Sequence, residues 1–244
     1  MKDSLFTVLS QRRLTGSVFE IKLRGDTSAI TRPGQFVNLR LEGLYLRRPI
    51  SVCDLERETL TLIYKVVGKG TDQLSKMTPG QTVPVLTGLG NGYDTALSGA
   101  HPLLIGGGVG VPPMYLLAKQ LREQGKQLSV ILGFNTASEL FYEEEFRAIG
   151  CQVRVTTVDG SCGIKGFVTD ALPEEYTHVY TCGPEPMLKA VFRRIHTGGS
   201  FSFEKRMGCG FGACMGCSCK TITGYKRICK EGPVLQKEEI LWED

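Results

Sequence analysis

Histidine is scarce in this chain of 244 residues: His101, His178 and His196 are the three present, and they lie far apart. That argues against a histidine-built metal site. No G-x-S-x-G elbow or other hydrolase signature occurs. No run of about 18 apolar residues occurs either, so no membrane-spanning helix is expected. The opening residues, Met1-Lys-Asp-Ser-Leu-Phe6, lack the apolar stretch of a secretion signal. Charge of one sign is missing too: 29 basic residues face 25 acidic ones, a net charge of +4. Without a basic stripe, nucleic acid is a poor candidate partner. A cytoplasmic globular chain that engages neither membrane nor nucleic acid is expected. Its 41% hydrophobic and 22% charged residues suit that class.

Cysteine and glycine, by contrast, are concentrated in motifs. Cys209, Cys214 and Cys217 are spaced C-x4-C-x2-C, and Cys229 follows. This is the plant-type spacing for a [2Fe–2S] cluster. Its thiolates must converge on two irons, so three of them share one tight loop. Gly208, Gly210, Gly212, Ala213 and Gly216 keep that loop free of bulk. A structural zinc site is the competing reading, although zinc cysteines usually come as two C-x2-C knuckles. Cys219 is a spare: it forms a C-x-C with Cys217, but Cys209, Cys214, Cys217 and Cys229 complete the ligand set without it. The remaining cysteines are scattered, as in a reducing compartment.

Residues 1–98 read as a β-rich domain. Alternating, β-branched stretches at 18–23, 36–41 and 60–64 are separated by Gly and Pro turns, which predicts a small antiparallel barrel. A short helix is predicted over 71–77. From residue 99 to about 200 the pattern changes. Strands at 103–105, 128–132, 153–157 and 179–182 alternate with helices at 112–123, 143–149 and 185–195. That predicts a parallel α/β domain. A last strand at 200–205 leads into a small cysteine-bearing segment, 201–244. The expected fold class is thus multidomain α+β.

Two stretches of the barrel half carry candidate chemistry. In Arg48-Pro49-Ile50-Ser51 a guanidinium and a hydroxyl can face a pyrophosphate and a flavin. An edge strand with solvated arginines is the plainer reading. Ile63-Tyr64-Lys65 precedes Gly68-Lys69-Gly70-Thr71, where the amides opening a helix can meet an anion or form an ordinary capped turn. In the second half Gly106, Gly107, Gly108 and Gly110 link a strand to a helix, as a dinucleotide requires. Cys182-Gly183-Pro184 repeats that placement at another strand end. Cys182 also reads as a plain buried cysteine. The stretch 133–136 has no arginine for a 2′-phosphate, which leans towards NAD.

The Arg48-Pro49-Ile50-Ser51 stretch resembles the flavin motif of the ferredoxin–NADP reductase superfamily, with Ile50 where an aromatic is usual. With Ile63-Tyr64-Lys65, Gly70-Thr71, the two glycine-rich segments and the four cysteines, the chain resembles the electron-transfer subunits of type B dihydroorotate dehydrogenase. Lys65 stands where that branch often has arginine. The resemblance implies FAD held by residues 48–51, 63–65 and 70–71. It implies NAD at 106–110 and 182–184 and a [2Fe–2S] cluster on Cys209, Cys214, Cys217 and Cys229. It implies no catalytic side chain, since the cofactors carry the chemistry. The partner implied is an FMN-containing catalytic subunit that oxidises dihydroorotate, in a heterotetramer of two plus two. Two other readings stay open. One is the flavin/iron–sulfur subunit of a ferredoxin-linked NAD(P)H oxidoreductase or soluble hydrogenase. The other is a non-catalytic redox-sensing or zinc-bound module.

Overall fold

Burial alternates along the first strand, β1 (Lys2–Arg13): Phe6 and Val8 point inside, while Leu5 and Leu9 face outward. The computed structural model describes residues 1–242. The last two residues of the 201–244 segment lie outside the described residues. After β1 come β2 (Val18–Arg24), β3 (Phe36–Leu39), β4 (Arg48–Glu56), β5 (Thr59–Lys65), helix α1 (Lys69–Ser75) and β6 (Thr82–Leu89). The six strands close into an antiparallel barrel in the order β1-β2-β5-β4-β3-β6. Closure leaves no open edge. Ile21, Leu39, Leu60 and Leu62 fill the interior, and Leu74 of α1 packs against them. The sequence reading found β2, β3, β5 and α1. It passed over β6, and over β1, whose outward leucines spoil the alternation. The helix expected over 71–77 stands two residues earlier.

The second layer runs β7 (Leu103–Gly107), α2 (Pro112–Glu123), β8 (Ser129–Phe134), α3 (Glu143–Ala148), β9 (Gln152–Thr157), β10 (Ile164–Lys165), β11 (Val179–Cys182), α4 (Glu185–Arg194) and β12 (Gly199–Ser202). Then come β13 (Ser218–Thr221), β14 (Gly224–Arg227) and β15 (Val234–Gln236). The sheet order is β10-β9-β8-β7-β11-β12-β15, and β13-β14 form a separate hairpin. All sheet pairs are parallel except the last, where β15 runs antiparallel to β12. The cysteine-bearing segment therefore returns a strand to the nucleotide-type sheet. The strand predicted at 200–205 stops at Ser202, where pairing with Val234 ends.

Barrel and sheet share one hydrophobic core. Val18, Cys53 and Ile63 of the barrel side pack with Met114 and Leu117 of α2. Tyr93, in the connection, is buried; its hydroxyl donates to the Thr181 carbonyl at 2.9 Å, and its ring meets Tyr180 edge-on at 5.6 Å. Gly34, at φ +81°, makes room for it, since a Cβ there would lie 2.5 Å from the Tyr93 ring. No helix among the described residues is long and apolar enough to cross a membrane.

Candidate functional site

Three groups of residues converge from different parts of the chain. The first is the cysteine loop. Gly210 and Gly212 take positive φ, 75° and 95°, which lets the chain fold back on itself. The amides of Ala213 and Cys214 point at the Cys209 sulfur, at 3.2 and 3.4 Å, and the Cys209 amide points at the Cys214 sulfur at 3.4 Å. Burial alone would raise the Cys209 thiol. Amides from Phe211, Cys214 and Ala213, with the Cys214 thiol, outweigh it and bring Cys209 down to about 6.

The β13-β14 hairpin carries Cys229 back to Cys217. The Ile228 amide donates to the Cys217 carbonyl at 3.2 Å, and the Cys229 amide to the Cys217 sulfur at 3.4 Å. Arg227 braces both sides, bonding the Gly212 carbonyl at 2.5 Å and the Glu231 carboxylate through Nε at 3.0 Å. Cys229 is pushed up to about 12 by burial and by the Cys217 thiol. The sulfurs thus fall into two contacting pairs, Cys209/Cys214 and Cys217/Cys229. Among the described residues no group of three His, Cys, Asp or Glu is arranged for a single metal ion. Two thiol pairs with amides aimed at sulfur fit a two-iron centre. Cys219 packs at the margin of the apolar core, and burial raises its thiol.

The second group lies on the barrel. The Arg48 side chain lies across the backbone of Gly70, where a Cβ would stand 2.0 Å from Nε. Two stretches separated in sequence are therefore in direct contact. Arg48 also bonds the Leu46 carbonyl. Thr71 is occupied locally: its Oγ1 accepts the amides of Val67 and Gly68 at 2.9 and 3.3 Å and donates to the Gly68 carbonyl. Ile63 and Tyr64 are buried, Tyr64 stacked 6.2 Å from Phe19 inside the barrel. Only their backbone can meet a ligand. Lys65 and Pro49 are exposed, and Ile50 and Ser51 half-buried. A guanidinium laid over a glycine at the start of a helix fits the pyrophosphate end of a flavin nucleotide.

The third group sits where strand order reverses, between β7 and β11, with Gly106 beside Cys182. Ligands of open α/β sheets bind at such a switch point. The glycines there serve mainly to pack the protein against itself. A Cβ on Gly106 would meet Val111, on Gly107 the Met187 sulfur at 2.4 Å, and on Gly110 the Cys182 carbonyl at 2.2 Å. Gly183 likewise faces Met187. Gly108, at φ +52°, has open space before it. Burial pushes the Cys182 thiol up to about 12, so it stays protonated. A cavity of about 360 Å³ lies between Gly183, Pro184 and Glu185 on one side and Phe203, Lys205 and Arg206 on the other. It joins this group to the linker that enters the cysteine loop.

Asn38 was absent from the sequence reading and ties the first group to the second. It is buried on β3, opposite Pro49 of β4, and its Nδ2 donates to the Cys209 carbonyl at 3.3 Å. A lone asparagine in a strand gives no signal of this kind. The reading also passed over Asp159-Gly-Ser161 at the end of β9, where Asp159 accepts from the Ser161 amide at 2.9 Å and from its hydroxyl at 2.6 Å.

Known proteins resemble this chain over nearly its whole length. Residues 204–241 match the iron-sulfur cluster binding domain of dihydroorotate dehydrogenase B, and residues 104–193 the oxidoreductase NAD-binding domain. The dihydroorotate dehydrogenase B (NAD(+)) electron transfer subunit of Geobacillus sp. (strain WCH70) is 42% identical over 256 residues, covering 99% of both chains. That of Lysinibacillus sphaericus (strain C3-41) is 44% identical over 253 residues, covering 97% of this chain and 98% of the relative. The solved structure of an NADH-dependent reduced ferredoxin-NADP oxidoreductase superposes with a TM-score of 0.88 at 32% identity, covering 98% of this chain and 90% of that one. A ferredoxin NADP+ reductase from Neisseria gonorrhoeae with bound FAD and NADP shares the fold, with a TM-score of 0.69 at 18% identity over 80% of this chain and 90% of that one. The chain belongs to the family of dihydroorotate dehydrogenase B electron transfer subunits.

Proposed function

We propose that this chain passes electrons from a dihydroorotate-oxidising, FMN-containing partner through a [2Fe–2S] cluster and FAD to NAD⁺, within pyrimidine synthesis. The assembly would be two catalytic and two electron-transfer subunits. The observation that carries this reading is the bond from Asn38 to Cys209. It joins the cysteine loop to the strand beside Arg48-Pro49-Ile50-Ser51, so the two redox groups would be near neighbours.

The bound flavin supplies the exchange between hydride transfer and single-electron transfer. The chain's own residues hold and insulate. Cys209 and Cys214 would bind one iron, Cys217 and Cys229 the other, with amides stabilising the sulfur charge. Cys214 is exposed, and Phe211 and Met215 beside it are about half exposed. This rim is where electrons would enter. Arg48 would neutralise the FAD pyrophosphate. Pro49, Ile50 and Ser51 would line the flavin, while Ile63, Tyr64, Lys65, Gly70 and Thr71 shape the turn beneath it. Gly108 would admit the NAD pyrophosphate. Gly106, Gly107, Gly110 and Gly183 hold the two turns together, and Cys182 and Pro184 close the nicotinamide end. Residues 1–98, 99–200 and 201–244 would then be the flavin, nucleotide and cluster units.

The superposition on the ferredoxin-linked oxidoreductase favours a second reading, in which the same three carriers serve another partner. Both readings require flavin and iron. Purified chain should carry one flavin and two irons and should oxidise NADH with a dye. A chain binding zinc and no flavin would contradict both.

A further inference from the structure

Glu20 belongs to the barrel, yet its side chain is only 4% exposed. A buried carboxylate needs partners, and it has three bonds. Arg12, opposite on β1, donates from Nε at 2.7 Å and Nη2 at 3.0 Å. The third comes from the other layer: the Tyr142 hydroxyl donates at 2.8 Å. Burial would raise the Glu20 carboxyl, but Arg12 and Tyr142 hold it below the ordinary value.

Tyr142 is itself held in an uncommon way. It precedes α3 at φ +68°, a region that bulky side chains rarely adopt. Such residues persist where their surroundings overdetermine them. The Tyr142 ring meets Tyr115 of α2 edge-on at 5.1 Å, and its hydroxyl adjoins the buried Cys53 thiol of β4. A second polar link crosses the same junction. Lys119 of α2 bonds Asp54 of β4 at 2.7 and 3.0 Å, with Glu56 at 3.5 Å. Arg12 of β1 also reaches Glu145 of α3 at 3.4 Å, so three links on different strands resist rotation about any one.

We propose that Tyr142, acting through Glu20, is a positioning residue that sets the angle of the nucleotide layer on the barrel. It thereby sets the approach of nicotinamide to flavin. This rests on the function proposed above, in which the two ligands are held by different layers. Glu20 stands opposite Ile63 on β5, while its carboxylate turns away to Arg12 and Tyr142. Their effect would be geometric, and a misplacement of about 1 Å can cost roughly 100-fold in rate.

The test uses Tyr142→Phe, which removes one oxygen, and Lys119→Met, which breaks the second link. Val191→Ala, a core cut in α4 away from the junction, serves as the stability control. In the cofactor-loaded complex, flavin reduction by saturating NADH is followed in single turnover, with the NADH dissociation constant and melting temperature. Separately, the full chain without cofactors carries genetically encoded spin labels at Glu58 and Gln152, both exposed, for a pulsed distance measurement. Expected for Tyr142→Phe are a reduction rate lower by about tenfold, an unchanged dissociation constant and a broadened inter-label distance. Val191→Ala should lower the melting temperature alone. A Tyr142→Phe protein that melts earlier but keeps its rate and a narrow distance would overturn the proposal. If that variant does not fold, the same outcomes in Lys119→Met decide. Wild type that NADH cannot reduce would instead contradict the function itself.

Discussion

The Asn38 side chain donates to the Cys209 carbonyl at 3.3 Å across 171 residues of sequence. Gly210 is required beside it, because a Cβ there would lie 2.3 Å from Asn38 Nδ2. The barrel strand and the cysteine loop are therefore fitted to one another at Cys209, the first cysteine of the loop. Asn38→Ala is expected to cost about 1 kcal/mol and to loosen the loop without removing a thiol. Iron should be lost to a chelator about fivefold faster, with four thiols still present. Unchanged iron release would show that the bond does not hold the loop.

Contact between Arg48 and Gly70 gives a second test. Arg48→Ala removes a cation that would make charge-assisted bonds to phosphate, each worth about 1.5–3 kcal/mol. Flavin affinity should fall by roughly 10- to 100-fold. Gly70→Val should do the same by displacing Arg48, whose Nε would be 2.0 Å from the new Cβ. The flavin-to-protein absorbance ratio of purified variants measures both. Full flavin content in Gly70→Val would remove the turn from the site.

Asp159 bears on the choice of dinucleotide. It stands at the C-terminal end of β9, two strands from the β7 turn, a span of about 10 Å. That suits the adenosine half of a dinucleotide whose pyrophosphate would rest on Gly108. The Ser161 hydroxyl and amide keep its carboxyl below the ordinary range, so it is charged at neutral pH and opposes a 2′-phosphate. Lys165 is nearby, its chain packed on Gly160, and would aid a phosphate once the carboxylate is gone. Asp159→Asn should raise kcat/KM for NADPH relative to NADH. An unaltered ratio would place the discrimination elsewhere.

His178 links acidity to the integrity of the sheet edge. It is buried, and its Nε2 meets the Ser200 hydroxyl at 2.9 Å, which in turn donates to Gln236 at 3.0 Å. Burial lowers its pKa. The unfolded chain takes up this proton near pH 6.5, while the folded chain resists it. Below that pH the unfolded state binds more protons, so this contribution to stability is lost as pH falls. Wild type should lose more melting temperature than His178→Gln between pH 7.5 and pH 5.5. Parallel losses would exclude His178 as the cause.

How much of this was legible beforehand depends on where each signal lies. The helix over 112–123 and the strand over 179–182 were read to the residue, because proline opens the helix and Gly183-Pro184 ends the strand's β-branched and aromatic run. The tight loop from Cys209 to Cys217 was legible because its spacing is local, whereas the β13-β14 hairpin that returns Cys229 to Cys217 was not. The partnership of Asn38 with Cys209 and of Glu20 with Tyr142 was not, since each joins residues that only the tertiary fold brings together. The role of the glycines was read incompletely. Composition shows that a turn lacks side chains, but not that Met187 fills the space at Gly107 and Gly183. The return strand β15 was missed because three residues are too few to show alternation.

The central claim is that electrons cross this chain from its cysteine-bound centre to a nicotinamide. The most direct measurement is NADH absorbance after dihydroorotate and NAD⁺ are added to the purified complex with its catalytic partner. NADH should form with this chain present, stop when it is removed, and fail with Cys214→Ser while dye-linked NADH oxidation survives. NADH formed at the wild-type rate by the Cys214→Ser complex would contradict the account.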